Sequence, residues 1–251
     1  MVLGILSAVA ACPAIIGTTE AVRHGQKAQA KEAHRGQKVN MIVKLPTPIP
    51  GYTENFEGAL IVLKDNKVYI QHAQSTFPAD SVHPFAGYYL PYPSNQNKWA
   101  GAGYKGEGLV STINDANQLN WIYVDRDTHE LKYGVKADVE AHCAGPWDCT
   151  AVDKRMTFEG WEGFIAVQVD AKEDIWALYF DRFDDGLSSN GLIGDFEETG
   201  KQVRMLEVQL VRKERMKGFD MACEERVERI RAMRGKQKEE QEAGLQGSEG
   251  E

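Results

Sequence analysis

From residue 155 to 217 the chain alternates short apolar blocks with polar breaks, predicting strand, strand, acidic turn, strand and the start of a charged helix. Residues 163–170 and 175–180 are dense in Val, Ile, Trp, Tyr and Phe and flank a polar run centred on Lys172, the pattern of paired strands. In residues 203–211, Leu206, Val208 and Leu210 fall on one face, between Arg204 and Arg212, and that face is expected to turn inward. Earlier, residues 39–45 read as a first strand, while residues 59–63 with 67–71, and 119–124 with 130–135, read as two hairpins. Between the hairpins, residues 73–98 carry Pro78, Pro84, Pro91 and Pro93 among Phe77, Phe85, Tyr88, Tyr89 and Tyr92. This stretch is too apolar for a linker and too proline-rich for a central strand, so a long ordered loop is expected. Residues 218–243 predict a long charged helix with a narrow stripe of Cys223, Val227 and Ile230, followed by a Gly, Ser and Glu tail that should be disordered. The expected architecture is mainly β: an antiparallel β-sandwich or open barrel over residues 39–217, with helical segments at 1–38 and 218–243 and a tail at 244–251.

The net charge of −8 conceals a partition that changes this picture. Residues 1–38 carry five basic and two acidic groups, residues 39–211 carry 14 and 25, residues 212–238 carry ten and five, and the tail from Glu239 has five Glu and no base. An acidic β body is flanked by two basic segments, which either dock on it or face an anionic partner. Four cysteines are too few for a disulfide scaffold, and no apolar run reaches the ~20 residues needed to span a bilayer.

Residues 1–17 are almost wholly apolar, yet no Lys or Arg precedes them as a signal peptide would require. Arg23, Lys27, Lys31 and Arg35 then recur at four-residue spacing as a basic stripe. An apolar terminus followed by such a stripe suits a peripheral membrane segment, with Cys12 available for acylation, and suits still better an ordinary first helix packed into the domain. This opening, together with Gly145-Pro146-Trp147-Asp148, Gly160-Trp161-Glu162-Gly163-Phe164 and Trp176-Ala177-Leu178-Tyr179-Phe180-Asp181-Arg182, resembles a group of uncharacterised proteins of filamentous fungi. The resemblance implies that the apolar start belongs to the mature protein; it carries no activity and no functional residues.

Motifs for catalysis are weak. Gly101-Ala102-Gly103-Tyr104-Lys105-Gly106 spells a dinucleotide fingerprint, but a polar stretch precedes it and a strand pattern follows, so a structural glycine turn is expected. No Gly-x-Ser-x-Gly elbow, P-loop lysine or His-Glu-x-x-His is present. His142, Cys143 and Cys149 lack the spacing of a zinc knuckle. Asp181, Asp184 and Asp185 form a candidate calcium turn, although an EF-hand register fails at Phe183 and Leu192. Tyr123-Val124-Asp125-Arg126 and Tyr179-Phe180-Asp181-Arg182 share a strand-to-turn pattern, read as a common turn device more than as a repeat.

These features predict a non-enzymatic intracellular binding or adaptor protein, cytoplasmic, whose N-terminal segment touches a protein partner or an anionic membrane surface. The alternative is a small-ligand or carbohydrate-binding β protein, or an enzyme, using the aromatic loop 77–99 and the acidic turns, with Tyr88, Tyr89, Trp121 and Trp176 as ligand contacts. No cofactor is called for, and nucleic acid is not an expected partner.

Overall fold

The computed structural model describes residues 32–77, 81–114, 116–188 and 204–214. The chain divides into two units, Met1–Gln37 and Lys38–Glu251. In the first, a 3-10 turn spans Ala33–Gly36. The expected N-terminal helix up to residue 31, the C-terminal helix at 218–243 and the tail lie outside the described residues.

The second unit is mainly antiparallel β. Its strands are β1 (Val39–Lys44), β2 (Leu60–Lys64), β3 (Lys67–Gln71), β4 (His83–Pro84), β5 (Gly87–Pro91), β6 (Glu107–Thr112), β7 (Leu119–Val124), β8 (Leu131–Gly134), β9 (Trp147–Cys149), β10 (Met156–Phe158), β11 (Phe164–Asp170), β12 (Ile175–Phe180) and β13 (Met205–Glu214). Among the described residues three short helices join them: α1 (Thr53–Phe56), α2 (Gln96–Gly101) and α3 (Lys136–Val139).

Six strands form a closed ring. β13 pairs with β1, β1 meets β5 at Val39 and Gly87, and β5 pairs with β6. β6 packs along β9, β9 pairs with β10, and the Arg155–Val211 bridge joins the β10 end to β13. Neither a sandwich nor an open barrel describes this. Alternation within a strand specifies which face is buried but not whether the last strand returns to the first, so closure was invisible in the pattern.

Three hairpins, β2–β3, β7–β8 and β11–β12, cap the ring. They meet one another at Lys67–Lys132, at Ile70–Trp176 and at Glu130–Tyr179. Each hairpin thus lies between two ring strands, giving three four-strand units, with the two-residue β4 added against β2. The β2–β3 turn shows how local sequence supports this: Asp65 and Asn66 have φ of 48° and 62°, the mirror-image turn whose twist matches a hairpin and which Asn and Asp tolerate.

The core fills the space between ring and caps. Trp147, Phe158, Phe164 and Phe180 pack edge to face or stacked, with centroid separations of 4.8 Å for Trp147–Phe158 and 4.9 Å for Phe158–Phe180. Such pairs add about 0.5–1.5 kcal/mol each beyond the area they bury. The inward face expected for β13 is the inward face observed, with Leu206, Val208 and Leu210 buried. Arg212 extends that column, its guanidinium 4.5 Å from the Tyr89 ring centroid.

Two expectations need correcting. Residues 73–98 are not only loop: β5 lies within them as a ring strand, and its prolines sit where they do no harm, Pro91 at the strand's last position and Pro84 in the two-residue β4. The hairpin β9–β10 was not anticipated, because strands of three residues show no periodicity.

Candidate functional site

Strand register decides which aromatic side chains stand together. Tyr88 pairs with Val110, Val110 with Trp121, and Trp121 with Gly134. Directly opposed residues share a face, so Tyr88 and Trp121 lie in one row on the outer side of the sheet, both half-buried. Leu119, two residues before Trp121 and on the same face, is 40% exposed. Tyr89 and Trp176 point the other way. Tyr89 is buried under Arg212 with its hydroxyl 3.3 Å from Met156 Sδ. Trp176 is buried in the core, where its Nε1 donates to Asp174 Oδ1 at 2.8 Å and its ring meets Phe56 edge-on at 5.0 Å. The four aromatic residues expected at a ligand site therefore separate into an outer pair and an inner pair.

A satellite core holds Trp121 of the outer pair in place. Trp121 meets Tyr92 edge-on at 5.0 Å, and Tyr92 stacks on Trp99 of α2 at 5.6 Å. Tyr123, Val139 of α3 and Ala144 complete this cluster, with Tyr104 packed against it. The indole lies so close to the β6 backbone that a Cβ on Gly108 would come within 2.8 Å of it. Tyr92 and Trp99 belong to the aromatic loop 77–99 that the sequence marked out; their supporting role did not show, because it depends on contacts with β7. The glycine run that follows is reached from α2 and leads into β6, the reverse of a dinucleotide fingerprint's strand-then-helix order.

Where the three hairpins meet, a buried ionic cluster centres on Glu130. Its Oε1 receives Lys67 Nζ of β3 at 2.8 Å and the Tyr179 hydroxyl of β12 at 3.4 Å, and Lys132 of β8 stands 3.7 Å from Oε2. Each hairpin thus contributes one group to a single carboxylate. Asp125 joins through Lys132 Nζ at 2.8 Å, and its Oδ1 accepts the amides of Asp127 and Thr128 at 3.0 and 3.1 Å. Burial pushes the Asp125 carboxyl up, but the Lys132 hydrogen bond and the two amides outweigh it and hold the group well below the usual carboxylate range. Burial, with Glu130 and Asp65 nearby, pushes the Tyr69 phenol up to about 12, and burial beside Glu130 raises Tyr179 as well. This cluster ties the three hairpins together through one salt-bridged carboxylate.

The acidic turn is likewise occupied by its own backbone. Asp181 Oδ1 accepts the Asp185 amide at 3.2 Å and Oδ2 the Gly186 amide at 2.7 Å. Among the described residues no group of three or more His, Cys, Asp and Glu side chains is placed to hold a metal, so Asp181, Asp184 and Asp185 are not brought together as ligands. Asp125 and Asp181 both cap the turn that follows them, but Asp125 opens the turn inside a hairpin whereas Asp181 leaves a hairpin for the ring. The shared tetrad is a turn device at two unlike places. Cys143 and Cys149 are half-buried thiols not joined in a disulfide, and His142 stacks on Tyr123 at 5.1 Å. Arg182 forks onto Glu159 at 2.8 and 2.6 Å and reaches Cys143 Sγ at 3.6 Å. Of the residues expected at a membrane, Cys12, Arg23, Lys27 and Lys31 lie outside the described residues; Arg35 is buried, 3.7 Å from Glu32. No helix among the described residues is long and apolar enough to cross a membrane.

A six-stranded ring capped by three hairpins is the arrangement of a β-trefoil. The chain belongs to the fungal beta-trefoil domain family, whose model matches residues 17–216. No curated protein and no solved structure matches it. The resemblance to a fungal group of uncertain function is supported at the level of the family, while residues 1–16 lie ahead of the matched residues.

Proposed function

We propose that this protein is a non-enzymatic binding module that takes neutral carbohydrate on the outer face of β5–β7, with Tyr88 and Trp121 as its platform. The observation that carries the reading is the cross-strand row itself, two half-buried aromatic side chains placed by register on one face, on either side of the buried Val110. Sugar rings offer apolar C–H faces that pack on aromatic rings. Trp121 is already held by Tyr92 and the Gly108 backbone, so binding costs little side-chain ordering. Near Tyr123 the Lys132 ammonium is outnumbered by the Asp125, Asp138 and Glu130 carboxylates, and Glu140 stands near Tyr92, which disfavours an anionic ligand. β-Trefoils often bind carbohydrates or proteins, which fits a binding role.

Titration with soluble β-glucan and chitin fragments, and with a sulfated glycan as contrast, tests this through tryptophan emission. A saturable change with a neutral glycan is expected, weakened at least about tenfold in Trp121→Ala and in Tyr88→Ala, a loss on the scale of one buried contact. Binding that survives both substitutions, or a preference for the sulfated glycan, would overturn the assignment.

A further inference from the structure

His129 closes the β7–β8 turn in the left-handed region, at φ 58°, and is buried. Its amide donates to the Asp125 carbonyl at 3.0 Å, and its own carbonyl accepts the Phe180 amide at 2.9 Å, joining the second hairpin to the end of the third. The imidazole tilts against Phe183, ring centroids 5.5 Å apart, yet Phe183 is 61% exposed. One exposed phenyl ring, carried on the turn that Asp181 organises, therefore covers a buried imidazole. The charged groups around the ring are Arg182, Asp181 and Asp185 from the segment after β12 and Asp125 from its own turn. Behind them stand Glu130, Lys132 of β8, and Glu159, which holds Arg182.

This arrangement suits a neutral imidazole and penalises an imidazolium. Asp125 and Asp181 have committed their carboxylates to turn amides, and Arg182 repels a second cation. We propose that protonation of His129 releases Phe183 and the 181–186 turn from the β7–β8 turn, a local opening that leaves the six-stranded ring closed and gives this face a second, acid-favoured conformation.

The titration of His129 sets the direction. Burial first, and Arg182 second, hold its pKa below the ordinary value; the nearby carboxylates oppose this without cancelling it. The closed turn therefore binds the proton less well than the open one. Opening should rise as pH falls below about 6.5, by up to about tenfold per pH unit until the closed-state pKa is reached.

Amide hydrogen exchange of the full chain, corrected for intrinsic rates, tests this at pH 7.5 and 5. Faster exchange at the Phe180, His129 and Gly186 amides is expected, with those of β1 and β13 unchanged. His129→Asn keeps a neutral residue that tolerates positive φ and should abolish the pH step; Phe183→Ala should speed exchange at pH 7.5 as well. The proposal is overturned if the step persists in His129→Asn, if these amides stay protected at pH 5, or if β1 and β13 lose protection together with them.

Discussion

Two tryptophans, Trp121 and Trp176, show how differently one residue type is used in this molecule. Each lies in an aromatic strand of a capping hairpin, β7 and β12, yet the first braces an outer face and the second fills the interior. Trp176 is enclosed by Phe56 and Tyr52 and hydrogen-bonded to Asp174, which also receives Gln168 Nε2 at 2.7 Å and lies 3.4 Å from His72 Nε2. Trp121 rests on a glycine backbone with one flank supported and another left accessible. What differs is not hydrophobicity but parity. One step along a strand exchanges core for surface, so a side chain that stabilises the fold in one hairpin is available for contact in another.

Substitutions should separate these roles. Trp176→Ala removes a fully enclosed indole and the donor to Asp174, and a loss of about 3–5 kcal/mol is expected in chemical unfolding. Gly108→Ala should cost about 1–3 kcal/mol, because the new methyl meets the Trp121 ring and must displace it or the strand; a shift in Trp121 emission would show which. Trp121→Ala should cost less stability than Trp176→Ala, about 1–2 kcal/mol, while losing glycan binding. If Trp121→Ala proved as destabilising as Trp176→Ala, the outer cluster would be core and not platform.

Acid provides the finest distinction, since Asp125 ends the approach of β7, the strand that carries Trp121, to the ionic cluster. Its folded pKa is depressed, so its contribution is fully present above the unfolded value of about 3.9 and lost as pH falls below that toward the folded value. Melting temperatures between pH 6 and 2 should fall in that window, and Asp125→Asn should flatten the fall. An unchanged slope in the variant would move its origin to other carboxylates.

Much of the local structure was legible. The hairpins, the inward face of β13 and the turn role of the two aspartates follow from alternation, Asx chemistry and the separation of apolar from polar positions. The candidate site was legible only as a list of aromatic residues. Tyr88 and Tyr89 are adjacent in sequence and face opposite ways; Tyr88 and Trp121 are far apart in sequence and share a row through Val110. Nothing local encodes that row.

By itself, the sequence determined an antiparallel β body with aromatic strands, an acidic charge between basic flanks, and turns built on Asp and Gly, because these depend on spacing between near neighbours. Tertiary structure alone decided that the strands close into a six-membered ring with three caps, that Glu130 gathers Lys67 and Tyr179 from separate hairpins, and which indole stays near the surface. The reason is physical: closure and register are settled by pairings between residues distant in the chain, whose free energy is realised only when all the strands are in place.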